Sequence, residues 1–300
     1  MTSKPPPIDI VVPVFNEPFE TVRDTISAIL KSFEGRPDTT LIVVDDGSDP
    51  SYQLDQLQDQ PGLVLVRHAR NSGYGSALKS GIRRGTAEWI AIADADGTYP
   101  VAELPAMVDR MADADMVLGE RTGDIKEIPH LRRFPKMLLN RFASYMAGVH
   151  IADLNTGMRV FRRDLCYGLW GLLPRQFSFT STLTMGAHMA GLRVLSHRID
   201  YYKRVGSSSI HPIRDTIRFF ALVLRLGMLF TPMKVFGPVA LLLFGVGAIK
   251  GIGIDFHHLG AVGNMSVMLM VSGVQVFLMG LLAEMIVHNR DMRLRAHPAP

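Results

Sequence analysis

Two long apolar stretches near the C-terminus constrain this chain more than any other feature. Met233 to Ile254, and Leu259 to about residue 287, are each long enough to cross a bilayer as a helix, which takes about 20 residues. Inside lipid the backbone must satisfy its own hydrogen bonds, so both stretches are expected to be helical. The first carries Lys234 at its start and Lys250 toward its far end, where an ammonium group can snorkel to the interface. Leu259 to Ala283 carries no charge at all. The link Asp255-Phe256-His257-His258 leaves room only for a hairpin. Lys234 opens the first span and Arg290, Arg293 and Arg295 follow the second, so the positive-inside rule puts both termini in the cytosol. Gly247 and Gly251 form a GxxxG pair that suits close hairpin packing and dimerisation equally, which leaves a homo-oligomer open.

Upstream the chain reads as soluble. Of its 300 residues 47% are hydrophobic and 20% charged, yet the mean hydropathy is +0.16 because the apolar excess lies after Phe219. A net charge of +4 and a pI near 9.3 suit a protein lying on an anionic membrane. No nucleic-acid partner is expected, because the soluble part offers neither a basic helix nor an aromatic platform. Cys166 is the single cysteine, so no intramolecular disulfide can form, and it reads as buried packing. The N-terminus, ending in Pro5-Pro6-Pro7, lacks the apolar core of a signal peptide.

Strand and helix patterns alternate through this soluble part. Ile8 to Val14, Leu41 to Val44, Leu63 to Val66, Trp89 to Ala93 and Met116 to Leu118 are short apolar runs that read as strands. Phe19 to Phe33, Ala77 to Arg84 and Leu104 to Met111 have helical spacing between them. That alternation predicts an α/β domain with a mostly parallel sheet. Two further segments look amphipathic. Pro135 to Met146 is one; in the other, Ile213 to Phe230, Arg214, Arg218 and Arg225 fall on nearly one line and apolar residues cover the rest. The resulting plan is a cytosolic domain at 1–210 with an interface helix at about 135–147, and a second interface helix at 211–231. A transmembrane hairpin at 232–290 and a basic tail at 291–300 complete it.

In parallel sheets ligands bind beyond the carboxyl ends of the strands. Asn16-Glu17, Asp45-Asp46 and Asp94-Ala95-Asp96 each follow a strand, so three polar clusters are expected at one sheet edge. Asp94 and Asp96 are spaced to hold a hard divalent cation, which would bridge a diphosphate and neutralise the charge on a departing nucleotide. Asp45-Asp46-Gly47-Ser48 reads either as an ordinary Asp-Gly turn or as a carboxylate for a base or ribose. Arg70 to Ser76 is glycine-rich and opens a helix, where backbone amides of Asn71 and Gly73 can face a phosphate or sugar. His68, His130 and His211 lack the spacing of metal ligands and read as surface or structural residues.

Val11-Val12-Pro13-Val14-Phe15-Asn16-Glu17, Val43 to Ser48, Asn71-Ser72-Gly73 and Asp94-Ala95-Asp96-Gly97 resemble, in this order, the motifs of the family-2 glycosyltransferases. Leu154-Asn155-Thr156-Gly157-Met158-Arg159-Val160-Phe161-Arg162-Arg163 and Tyr201 to Ser208 narrow the resemblance to the dolichyl-phosphate mannose synthase and polyprenyl-phosphate glycosyltransferase branch. The resemblance covers almost the whole chain. It implies a GT-A fold and an inverting hexose transfer from a nucleotide-sugar, UDP-glucose or GDP-mannose, to a polyprenyl-phosphate lipid, with Mg2+ or Mn2+. It places Pro13, Val14, Glu17, Asp45, Asp46, Asn71, Gly73 and Asp94 at the nucleotide-sugar, and Asp94 and Asp96 at the metal. Arg121, Arg133 and Arg204, with Arg132 and Ser207, would hold the lipid phosphate. Thr98 stands where the branch often has a glutamine ligand, so water is expected there. A bacterial-type inner membrane is the implied location.

An ionised phosphate acceptor needs no general base, only cations to hold it in line with the anomeric carbon. The arginines also have a plainer reading, as attraction to anionic lipid. Three rival readings remain: a processive polysaccharide synthase, an inactive membrane-bound nucleotide-sugar or lipid scaffold, and a soluble dinucleotide enzyme. The first would need a QxxRW-type motif and more spans. The second sits poorly with intact Asp94 and Asp96, and the third with a first βα turn that has no glycine fingerprint.

Overall fold

The computed structural model describes residues 6–57, 61–122, 141–151, 153–154, 156–176, 178–202 and 212–296. The chain divides into two compact units, residues 1–144 with 149–219, and residues 145–148 with 220–300.

The first unit is built on a seven-stranded sheet of order β3-β2-β1-β4-β6-β5-β7. Its strands are β1 (Ile8–Val14), β2 (Thr39–Asp45), β3 (Leu63–Arg67), β4 (Trp89–Ile92), β5 (Met116–Arg121), β6 (Arg159–Arg162) and β7 (Val194–Ile199). β1, β2, β3 and β4 are parallel to one another, as are β5 and β7. β1 is buried at every position, as a parallel strand covered on both faces must be. Helices α1 (Phe19–Ser32), α2 (Tyr74–Arg84) and α3 (Leu104–Asp109) supply the crossovers. On α1 the residues Val22, Thr25, Ile26 and Ile29, spaced three and four apart, form the buried stripe.

Five strands and three helices fall where the apolar periodicity predicts them, although α2 begins three residues earlier, at Tyr74. β6 and β7 carry no such signal. β6 is four residues bounded by arginines, and β7 is half-exposed and polar on one face. β6 is antiparallel to both β4 and β5, pairing Ile92 and Leu118 with Arg159. Because it runs backward, its first residue lies beside the last residue of β4. The segment before it is thereby delivered to the carboxyl edge of the sheet. Helices α4 (Arg163–Gly168) and α5 (Phe179–Met189) follow β6.

The second unit contains two helices long and apolar enough to cross a membrane, over Met233–Asp255 and Asn264–His288. The first comprises α7 (Met233–Ala248) and a π-helical stretch at Ile249–Asp255, and one further turn, α8 (Phe256–Leu259), follows it; the second opens α9 (Asn264–Ala296). The preceding helix, α6 (Pro212–Phe230), matches the expected amphipathic segment in extent, and buries Val223 and Leu226. Of the other amphipathic segment only residues 141–147 are described, and they are helical.

The position of the hairpin turn is a correction. Asp255 to His258 are helical, and the reversal occurs after Leu259, at Gly260, whose left-handed φ of 68° ends the helix. Asp255, 5% exposed, anchors that end by accepting from Lys250 Nζ (2.6 Å), Gly263 N–H (3.1 Å) and the Ser266 hydroxyl. Gly247 and Gly251 face the second helix of the same hairpin at Ser266, with Met270 against Gly247 and Val262 against Gly251, so hairpin packing accounts for the GxxxG pair. Lys234 donates to the carbonyls of Tyr145 and Met146, capping the end of the 141–147 helix.

One buried ion pair joins distant parts of the first unit. Asp9, 2% exposed, accepts from Ala87 N–H (2.8 Å) and from the Arg163 guanidinium, which also donates to the carbonyls of Ile82 and Ala87. Asp9→Ala would strand a buried cation and an amide, and should destabilise the unit by about 3–5 kcal/mol. A thermal melt of the full chain in detergent should show a large fall in Tm; an unchanged Tm would mean that the pair carries no net stability.

Candidate active site

The loops at the carboxyl ends of β1, β2, β3 and β4 are joined by a chain of hydrogen bonds. After β1, Asn16 adopts φ of 53°, its N–H donates to Ser48 Oγ (3.0 Å), and its side-chain oxygen accepts from Asp49 N–H (2.9 Å). A non-glycine residue in this region is unusual, and the two bonds to the β2 loop hold it there. Asp45 accepts from Ser48 N–H (2.9 Å) and pairs with Arg67 (3.2 Å). Asp46, 2% exposed, accepts from the backbone N–H groups of Ser72 (3.0 Å) and Gly73 (2.8 Å). His68 Nδ1 lies 2.6 Å from the same carboxylate, and its Nε2 lies 2.8 Å from Ser80 Oγ. His68 is therefore a structural residue that holds Asp46, which in turn holds the glycine-rich loop.

That loop leads directly to Asp94. Tyr74, the first residue of α2, donates its hydroxyl to Asp94 Oδ1 (2.9 Å). The other oxygen, Oδ2, packs against Gly157, where any Cβ would collide with the carboxylate. Gly157 is fixed in turn, since its N–H donates to the Tyr99 hydroxyl (2.7 Å). Burial and the nearby Asp96 raise the Asp94 carboxyl to about 6. Burial and the Asp94 charge also push Tyr99 up to about 12 and raise Tyr74 well above its ordinary value, so both phenols stay neutral. Asp96 accepts from the backbone N–H (3.1 Å) and hydroxyl (2.6 Å) of Thr98. Thr98 thus fixes the orientation of the Asp96 carboxylate.

These residues suit a hard divalent cation. Among the described residues no group of three or more His, Cys, Asp or Glu could hold one. Two carboxylates fit an ion of the Mg2+ or Mn2+ kind, which completes its shell with water and substrate phosphate. Burial and then repulsion from Asp96 raise Asp94, and such a cation would offset both.

The remaining expected residues fall into three groups. Pro13 and Val14 lie within β1, Val14 is 1% exposed, and its carbonyl accepts from Asp46 N–H, so the Val14 side chain belongs to the core. Glu17 and Asn71 lie in the loops after β1 and β3. Arg121, at the end of β5, makes a bidentate pair with Asp153 through Nε (2.6 Å) and Nη2 (2.9 Å) and lies over the Tyr201 ring. Burial opposes its charge, but Asp153 outweighs that and raises its pKa. Arg132, Arg133, Arg204 and Ser207, with His130 and His211, lie outside the described residues. Cys166 is fully buried, and burial pushes its thiol up to about 12, as packing requires.

Tyr74, Tyr99, Gly157 and Arg159 had no assigned role in the sequence. Gly157 and Arg159 lie inside a matched motif, but only the reversed strand β6 brings them to Asp94. Arg159 is fully buried; it donates Nη1 to the Thr180 carbonyl (2.6 Å) and the Thr184 hydroxyl (2.7 Å), and Nη2 to the Thr156 carbonyl.

A mostly parallel sheet with polar loops at its carboxyl edge and a carboxylate pair after β4 defines a GT-A glycosyltransferase. The Mycobacterium tuberculosis glucosyl-3-phosphoglycerate synthase, solved with Mn2+, UDP-glucose and phosphoglyceric acid, has this fold. It aligns with a TM-score of 0.57 at 17% identity, over 74% of this chain and 80% of that one. The chain belongs to glycosyl transferase family 2, whose model matches residues 9–170, and residues 231–288 match the GtrB C-terminal hairpin. Among its relatives is the undecaprenyl-phosphate 4-deoxy-4-formamido-L-arabinose transferase of Pseudomonas aeruginosa, 30% identical over 94% of this chain and 86% of that protein. The dolichyl-phosphate hexose transferase of Haloferax volcanii is 26% identical over 68% of this chain and 86% of that protein.

Gly157→Ala should displace the Asp94 carboxylate, because the added methyl occupies its place. Disturbing a group that orients a ligand in this way weakens metal affinity by about 10–100-fold. Titration of the purified variant with Mn2+ should show a loss in that range with the melting curve little changed. Wild-type affinity would mean that Asp94 has room to move.

Proposed function

We propose that this glycosyltransferase moves a hexose from a nucleotide-diphosphate sugar, UDP-glucose or GDP-mannose, to a polyprenyl phosphate with inversion, at the cytosolic face of a membrane. The observation that carries the reading is a series of hydrogen bonds between neighbouring loops: Asn16 to Ser48, Ser48 to Asp45, Ser72 and Gly73 to the adjacent Asp46, and Tyr74, next to Gly73, to Asp94. It makes one surface of the nucleotide loops and the carboxylate pair. Relatives named for dolichyl-phosphate and undecaprenyl-phosphate transfer, together with the C-terminal hairpin, support a lipid acceptor. The Mn2+ in the structural neighbour supports a divalent cation.

In this reading Pro13, Val14, Glu17, Asp45 and Asp46 form the nucleoside wall. Val14 contributes backbone, and Asp46 shapes the Asn71–Gly73 loop against the donor. Asp94 and Asp96 hold the cation, whose chemistry is to neutralise charge on the departing diphosphate. Arg121, kept in one orientation by Asp153, presents positive charge toward an anionic acceptor; Arg132, Arg133, Arg204 and Ser207 are assigned to the same phosphate. The acceptor is already ionised near neutral pH, so holding it in line is the main requirement. Lys234 and the arginines after the second span put both termini in the cytosol, where nucleotide-sugars are made.

Purified protein would be offered a panel of radiolabelled nucleotide-sugars with undecaprenyl phosphate, with and without Mn2+. One donor should give an organic-soluble, metal-dependent product; no product from any donor would return the weight to a binding scaffold. Asp96→Ala should abolish transfer and leave membrane insertion intact, and surviving transfer would remove the metal role from this pair.

A further inference from the structure

Among the described residues of the first unit Arg159 is wholly buried and Arg36, Arg121 and Arg163 are largely so, and they differ in how their charge is met: Arg36 pairs with Asp109. Arg163 pairs with Asp9, and Arg121 with Asp153. Arg159, at 0% exposure the most deeply buried, has no ion-pair partner among the described residues. Its hydrogen bonds go to two carbonyls and one hydroxyl, and its Nε has no partner among the described residues. Burying a cation on neutral partners is expensive, and an apolar side chain of the same volume would suit the interior better. The arrangement needs a reason other than packing.

The surroundings supply one. β6 begins at Arg159 and pairs it with the last residue of β4, two before Asp94. The charges of Arg159 and Asp94 act on one another, and each favours the ionised form of the other. Its Nη2 ties down Thr156, the residue before the glycine that abuts Asp94 Oδ2. Nη1 ties the same point to the first turns of α5. The guanidinium therefore has two effects on one carboxylate: it sets buried positive charge near it, and it fixes the backbone wall that limits its orientation.

We infer that Arg159 is a positioning residue for the Asp94–Asp96 pair, holding Asp94 in its cation-binding orientation through the Thr156–Gly157 segment and through its own charge. This rests on the reading of that pair as the cation's ligands. The residue touches neither substrate nor cation. Its signature is a defect in cation affinity that saturating cation overcomes.

The test is Mn2+ binding to purified full-length protein, without nucleotide, followed by electron paramagnetic resonance, beside thermal melts and the Mn2+ dependence of transfer. Arg159→Met should weaken Mn2+ binding about tenfold or more, the range seen for groups behind metal ligands, and Arg159→Lys should stay within about threefold of wild type. Turnover of Arg159→Met should recover at saturating Mn2+. A folded Arg159→Met with unchanged or tighter binding would overturn the inference, as would equal defects in the Met and Lys variants. Should Arg159→Met fail to fold, Thr184→Val decides: it takes one hydrogen bond from the guanidinium and leaves its charge, so a folded variant whose Mn2+ binding is weakened about threefold or more upholds the role, and wild-type binding overturns it. Asp94→Asn separates the underlying reading. If wild type binds Mn2+ no better than Asp94→Asn, the carboxylate pair is not the cation site, whatever Arg159 does.

Discussion

Asp94 is a part-buried carboxylate two positions from a second one, and much of the first unit is arranged around holding it there. Burial and Asp96 both disfavour its charge, and raise it to about 6. The compensation is assembled from separate parts of the chain: the Tyr74 hydroxyl from the start of α2, the charge of Arg159 from β6, and that of Arg121 from the end of β5. Gly157 closes the remaining side by having no side chain. A site poised in this way suits a divalent cation, because the cation relieves the repulsion that the protein leaves in place.

The same reasoning separates two roles that look alike as sequence. Asp45-Asp46 and Asp94-Asp96 are both acidic pairs at strand ends. Asp46 is saturated by two backbone amides and an imidazole, so its carboxylate shapes a loop. Asp94 receives a single phenol hydrogen bond and keeps a raised pKa, so it retains an unmet demand for positive charge. Count and spacing of acidic residues cannot draw that distinction; only the partners can.

Much of the framework was nevertheless legible. β1 to β5 and the three crossover helices are strong periodic signals, because a parallel sheet buries both faces and its strands become apolar runs. The convergence of Asn16, Asp46 and Asp94 at one edge followed from each standing after such a run. β6 and β7 were not legible: a four-residue strand flanked by arginines and a half-exposed polar strand give no period to detect. The hairpin turn was misplaced by a few residues for a similar reason. Asp255 and two histidines read as a loop, but the Asp255 carboxylate is satisfied from the start of the second helix, and the first continues to Leu259.

The sequence by itself determined the class of fold, the two helices long and apolar enough to cross a membrane, the carboxylate pair and the order of the motifs, since each depends on local pattern and neighbours along the chain. The tertiary structure decided which polar residues serve which purpose. Reversing β6 carries Gly157 and Arg159 to within reach of Asp94, more than sixty positions away in the chain, and the meeting of Asp46 with Ser72 and Gly73 spans 26 and 27 positions. Contacts of that range depend on strand order and direction, which hydrophobic period does not encode.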